Sequence, residues 1–174
     1  MIFLWTKSSL PFSKLIRWGL KEDCSHFSIM FFEQYGQKSI VIESRLEGVQ
    51  EIRLSNFLAQ HTVVHALQAP LTEIEEQVLY LYFLRKIKGK KYDSWAMAYW
   101  IYAGIMYRFF GQRLPHKNAW GENELVYCVE IMQEMREYLL EIDVDLSDFD
   151  LEMTSPHGAY KILKESEYLR EVYV

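Results

Sequence analysis

Cysteine is scarce, with only Cys24 and Cys128 in 174 residues. Two thiols cannot build a disulfide framework and fall short of the four ligands of a structural zinc site. An ordinary hydrophobic core in a reducing compartment is therefore expected to hold the fold. Four prolines and eight glycines are too few for a collagen-like or low-complexity linker segment. No apolar run reaches the roughly 20 residues that a membrane-spanning helix needs. The amino-terminal MIFLWTKSSL has no basic segment ahead of its apolar residues, and that apolar run is too short for a secretory signal, so a cytoplasmic location is expected. Basic charge is not in excess either: the formal net charge is -5, which argues against a general nucleic-acid binder. A phosphate-cradling Gly-rich loop and a G-x-S-x-G elbow are both missing, and no cofactor or metal is expected.

What is present suits a globular protein. Half the residues are hydrophobic and a quarter charged, and 174 residues are enough to bury a core, so a single domain over 1–174 is expected. Ile2 to Trp5 reads as a strand, and Ser9-Leu10-Pro11 opens a helix through Ser13–Leu20 that Gly19 and Asp23 close. Ser25–Phe32 and Ser39–Glu43 read as a hairpin joined by turn residues Tyr35 to Lys38. Gly48–Leu54 reads as a third strand, Ser55 to Leu58 as a helical turn, and Thr62–Leu67 as a fourth strand. From Thr72 the period changes. Thr72 and Glu75 fit a capping box, and Ile74, Val78, Leu81, Tyr82 and Ile87 form an apolar helical stripe ending near Gly89. The lysines at that end, Lys86, Lys88, Lys90 and Lys91, read as a solvated helix terminus. Ser94–Tyr107, uncharged and apolar nearly all round, reads as a buried core helix. Gln112–Asn118 reads as a loop with Pro115, Glu122–Ile142 as a long helix or strand-to-helix unit, and Asp143–Glu152 as a solvated acidic link. Ser155-Pro156 opens a last helix to about Lys164, and Tyr168–Val174 reads as a final strand. The fold class is α+β.

The chemistry centres on ELVYCVEIM. Cys128 lies near the start of a helical segment, where unpaired N–H groups and the helix dipole favour thiolate over thiol. A thiolate nucleophile needs a base, for which His26 at the head of HFSIMFF is the choice, with Glu43 in VIES as a third member. Each also has a plainer reading: Cys128 shares a helical face with Ile131, Met132, Met135 and Leu139 as a buried cysteine would, His26 could be a core histidine, and Glu43 an exposed strand end. His61 and His65 form H-x-x-x-H, but Thr62-Val63-Val64 argues for a strand, on which the two rings would share a face about 13 Å apart, too far for a common metal. DVDLSDFDLE resembles a calcium loop only superficially, because the glycine turn and the terminal bidentate glutamate are out of place, and it reads as a solvated acidic loop. Cys24 reads as a bystander.

The order S-H-F-S-I-M-F, then V-I-E-S-R-L-E-G-V, then V-Y-C-V-E-I-M resembles the circularly permuted papain-like hydrolases of the NlpC superfamily, in particular the YiiX-like branch, over most of the chain. In that family a His-bearing strand precedes the Cys-bearing helix. The resemblance implies a permuted papain-like fold with a small antiparallel sheet packed against helices. It implies Cys128 as nucleophile, His26 as base and Glu43 as its orienting partner. It also implies cleavage of an amide bond through an acyl-enzyme, often in peptidoglycan stem peptides. Val129 stands where many relatives carry serine or another small residue. Two alternatives come with the same fold. One is a lipid acyltransferase or thioesterase, with the aromatic helix around Trp95, Trp100 and Tyr107 against lipid; the other is a catalytically idle binding module. Peptide is the favoured partner over membrane lipid.

Overall fold

The computed structural model describes residues 1–32, 39–112, 125, 126, 128–133, 135, 136, 140 and 154–174. The expected turn at Tyr35–Lys38, most of the Gln112–Asn118 loop, Leu139 and the acidic link fall outside these. The elements, in chain order, are β1 (Ile2–Ser8), α1 (Pro11–Leu20), β2 (His26–Phe31), β3 (Ile40–Arg45), β4 (Gly48–Arg53), α2 (Leu54–Leu58), β5 (His61–Gln68), α3 (Glu73–Lys86), α4 (Ser94–Phe110), α5 (Glu130–Gln133), α6 (Pro156–Lys164) and β6 (Arg170–Glu171). The strands form one antiparallel sheet in the order β4-β3-β2-β1-β5-β6. The architecture is α+β, as expected.

Both faces of the central strands are covered, which is why β1 and β2 read as near-continuous apolar runs and not as alternating ones. One face carries Phe3, Trp5, Phe27, Ile29 and Phe31 into a core shared with α3, α4, α5 and α6, while the other carries Ile2, Leu4, Met30 and Val41 against Phe57 of α2. Opposed residues on paired strands share a face, so His26 opposite Thr6 and Glu43 opposite Ser28 lie on the α2 side. The register of β1 on β5 slips between Trp5 and Thr6, a bulge that gives β5 one extra residue. Thr6 then faces Val63 while Trp5 faces His65. His61 and His65 therefore lie on opposite faces of the sheet, which corrects the shared face expected of a regular strand.

The helices depart from the sequence reading in instructive ways. Lys21, at φ 58°, is the left-handed cap of α1. Gly19, expected to close the helix, lies inside it, because its task is close approach: a Cβ there would stand 3.1 Å from the Cα of Gly104 in α4. The capping box of Thr72 and Glu75 is present, but the expected stripe on α3 is not the buried one. Ile74 and Val78 are exposed, and Glu76, Leu79, Tyr80 and Phe83 face inward. The apolar residues of α3 run round the helix, so period alone could not choose the face. The sheet chose it through Glu76, which accepts from Phe32 N–H at 2.5 Å and from the Met1 amino group at 2.6 Å. Likewise α4, capped by Asp93 and Gly111, is not a fully buried helix. It buries Ala96, Trp100, Ala103 and Gly104 but exposes Trp95, Tyr102, Phe109 and Phe110, because only its small-residue side meets α1.

Gly104→Ala is expected to cost about 1–3 kcal/mol, since the added methyl meets helix backbone that cannot step aside. Its Cβ would lie 3.0 Å from Gly19 Cα. A urea midpoint unchanged from wild type would contradict the close crossing.

Candidate active site

The chain leading to Cys128 is held by an isolated bridge between Val126 and Tyr92. Cys128 and Val129 then form a turn, and α5 begins at Glu130. The strand-to-helix reading of this segment therefore holds where residues are described, and the reading of one helix from Glu122 does not, because Val126 is bridged in extended backbone. Cys128, Val129, Ile131, Met132 and Met135 are all buried in the core that also holds Trp5. Ser44 Oγ donates to the Val126 carbonyl at 2.7 Å, buried, and so fastens the Cys-bearing segment to β3 next to Glu43. Ser44 had no marked role in the sequence, and its neighbours in the chain gave no signal of one.

Three groups expected from the sequence meet. His26 opens β2 with its side chain 16% exposed, and its Nε2 lies 3.2 Å from Glu43 Oε2. Glu43, far from being an exposed strand end, is wholly buried. Cys128 lies near enough to His26 to raise its pKa.

Glu43 is more heavily engaged than a simple orienting residue. Arg45 Nε lies 2.6 Å from its other oxygen, Oε1, and His61 Nε2 lies 3.6 Å from Oε2. His61 is stacked between Phe57, at 4.5 Å between ring centres, and His26, at 5.4 Å, and its Nδ1 is 3.4 Å from Thr6 Oγ1. His61 and Arg45 were not singled out from the sequence as members of this site. Arg45 left a readable signal, since residues 43 and 45 of a strand project to the same side. His61 left none, because its approach depends on how β5 pairs with β1.

The electrostatics follow from these contacts. Burial disfavours the imidazolium of His26, yet its proximity to Cys128 and the hydrogen bond and negative charge of Glu43 together raise its pKa from 6.5 to about 9. Burial likewise works against the Glu43 carboxylate, but the hydrogen bond from His26 and the charges of His26, Arg45 and His61 outweigh it and bring its pKa below 4.5. His61 goes the other way, lowered to about 4 by burial and by the charge on His26. At neutral pH the cluster is thus a charged His26, a charged Glu43 and a neutral His61. Such an arrangement can hold a proton on His26 beside a thiol, ready to move to a leaving group.

Ser44→Ala is expected to lower stability by about 1 kcal/mol and to reduce kcat more than KM for any substrate the site turns over, because the lost bond positions Cys128 and binds nothing. Equal changes in both constants would contradict this positioning role.

Among the described residues, the His, Cys and carboxylate ligand atoms that converge closely enough for one metal ion belong to a separate set, Asp23, Cys24 and His157. No helix among these residues is long and apolar enough to cross a membrane. No family model matches the chain, and no curated protein matches its sequence. Among solved structures, it is similar to the crystal structure of metalloprotein yiiX from Escherichia coli O157:H7, DUF1105, with a TM-score of 0.53 and 18% identity over 99% of this chain and 94% of that one. The YiiX-like resemblance of the motifs is thus met at the level of the fold.

Proposed function

We propose that this chain is a cysteine hydrolase of the permuted papain-like kind, acting on an amide bond through Cys128, His26 and Glu43. The observation that carries the reading is the line from Cys128 through His26 to the buried, Arg45-braced Glu43. With the shared proton resting on His26, the Cys128 sulfur attacks the substrate's carbonyl carbon. The tetrahedral intermediate collapses as His26 protonates the leaving amine, which leaves a thioester on Cys128. His26, now neutral, removes a proton from water, and the resulting hydroxide attacks the thioester, releases the acid and returns the site to its starting state with the proton on His26. The backbone N–H of Cys128 is a donor for the oxyanion. Glu43 holds the ring and stabilises its charged form. Peptides, with peptidoglycan stem peptides first among them on the motif resemblance, are the substrate class.

A second reading has a specific observation behind it. Trp18 and Phe109 meet at 5.7 Å between ring centres, both exposed and next to exposed Phe110, an apolar surface that suits the acyl chain of a lipid ester or thioester. The yiiX structure is described as that of a metalloprotein; a metal held here by Asp23, Cys24 and His157 would stand outside the acyl-transfer line.

The test is to trap the thioester. Protein mixed with a panel of peptide amides and acyl esters, quenched in acid and weighed by mass spectrometry, is expected to carry an acyl adduct on Cys128 from an amide. An adduct from acyl esters alone would move the assignment to the lipid reading, and no adduct across the panel would overturn both.

A further inference from the structure

A second cluster of reactive side chains lies where the α1–β2 turn meets the start of α6. Asp23 stands between two imidazoles. Its Oδ2 is 2.9 Å from His65 Nε2 on β5, and its Oδ1 is 2.9 Å from His157 Nδ1 in the first turn of α6. The adjacent Cys24 is wholly buried. One ligand atom each from Asp23, Cys24 and His157 lies within 4.8 Å of the other two.

Three features distinguish this from an ordinary polar contact. First, the donors are a nitrogen, a sulfur and an oxygen. Calcium and magnesium take oxygen ligands, whereas imidazole and thiolate suit zinc and its first-row neighbours. Second, His157 Nδ1 is buried and, close as it is to Asp23, has no hydrogen-bond partner among the described residues. Its 2.9 Å approach to Asp23 Oδ1 is an ion-pair contact, and a Cys24 ligand atom lies within 4.8 Å of both. Third, the supporting groups are already in place. His65 holds Asp23 through the oxygen that His157 does not approach, and its ring lies flat on Tyr160 of α6 at 3.8 Å and 8°. That is the outer-shell restraint that ligating groups need. Glu22, hydrogen-bonded to Ser155 Oγ at 2.5 Å, adds a carboxylate to the same junction.

We propose that Asp23, Cys24 and His157 bind one divalent transition-metal ion of the zinc type, with His65 orienting Asp23 from outside. Tetrahedral ligands at zinc distances sit about 3.3–3.8 Å apart, so closing the site asks only for small side-chain rotations. Binding displaces the Cys24 proton to solvent as the metal–sulfur bond forms, with no change of oxidation state. The ion pins the amino end of α6 to the turn that runs, two residues after Cys24, into His26. Cys24, a bystander on sequence alone, becomes a ligand because folding brings His157 to it from 133 positions away. The inference stands independently of the hydrolase reading.

Cobalt provides the test, since it reports its ligands by colour. Chelator-treated full-length protein titrated with Co²⁺ is expected to take up a single equivalent and develop a near-ultraviolet sulfur-to-cobalt charge-transfer band that Zn²⁺ abolishes. The band is expected to survive in Cys128→Ser and vanish in Cys24→Ser, and His157→Gln is expected to weaken binding by about tenfold or more. A band that persists in Cys24→Ser, cobalt uptake without a thiolate band, or unchanged affinity in His157→Gln would each overturn the site. His157 is only partly buried, so its variant keeps the test decisive should Cys24→Ser fail to fold.

Discussion

Cys128→Ala is expected to abolish turnover, by about a thousandfold or more, while leaving a folded protein. Both halves matter. The thiol is 4% exposed within a core of Val129, Ile131 and Met132, so its removal leaves a small void worth about 1 kcal/mol. The covalent route, in contrast, has no substitute nucleophile. Neither His26 nor His61 can replace it, since one is protonated at neutral pH and the other is closed in by Phe57 and His26. Near-ultraviolet circular dichroism unchanged from wild type together with lost thioester formation is the predicted pair of results. Retained turnover would remove Cys128 from the chemistry.

Glu43→Gln is expected to have the next largest effect, because one buried carboxylate serves His26, Arg45 and His61. Replacing it with a neutral amide leaves Arg45 without its buried counter-ion and should cost about 3 kcal/mol at pH 7. Activity should fall by about a hundredfold, since burial then disfavours the imidazolium with less to oppose it. The pH dependence has a definite sign. The pKa of His26 is raised on folding from 6.5 to about 9. Its contribution is therefore complete below pH 6.5 and is lost as pH rises towards 9, a fall of about 3 kcal/mol. Glu43, held below its ordinary 4.5, contributes above that pH and loses its contribution as the solution becomes more acid. Urea unfolding from pH 4 to 10 (about the range these groups span) should thus show wild-type stability declining on the alkaline side, with a much flatter decline in Glu43→Gln. Equal alkaline slopes in the two proteins would contradict the coupling of Glu43 to His26.

Local chemistry in the sequence marked most elements well. The Ser155-Pro156 entry to α6, the Thr72–Glu75 capping box and the β-rich runs of β1 to β5 all depend on neighbours in the chain. What escaped was decided by partners distant in sequence. The buried side of α3 was chosen by Glu76 reaching Phe32, and the internal role of Gly19 by the approach of Gly104. The faces of His61 and His65 were set by a bulge between β1 and β5. The site divides in the same way. His26, Glu43 and Cys128 were identifiable from short motifs in a particular order. Arg45 could be read from strand period, but Ser44, His61 and the pairing of Cys24 with His157 required the tertiary fold.

The central claim is a proton shared between Cys128 and His26, and the most direct measurement is the rate of iodoacetamide modification of Cys128 against pH in the folded protein. Peptide mass spectrometry would count Cys128 separately from Cys24, whose thiol burial and the nearby carboxylates push up. The account predicts fast modification that persists well below pH 7 and disappears in His26→Ala. Slow modification that rises only at the pH of an ordinary thiol, and is the same in His26→Ala, would contradict it.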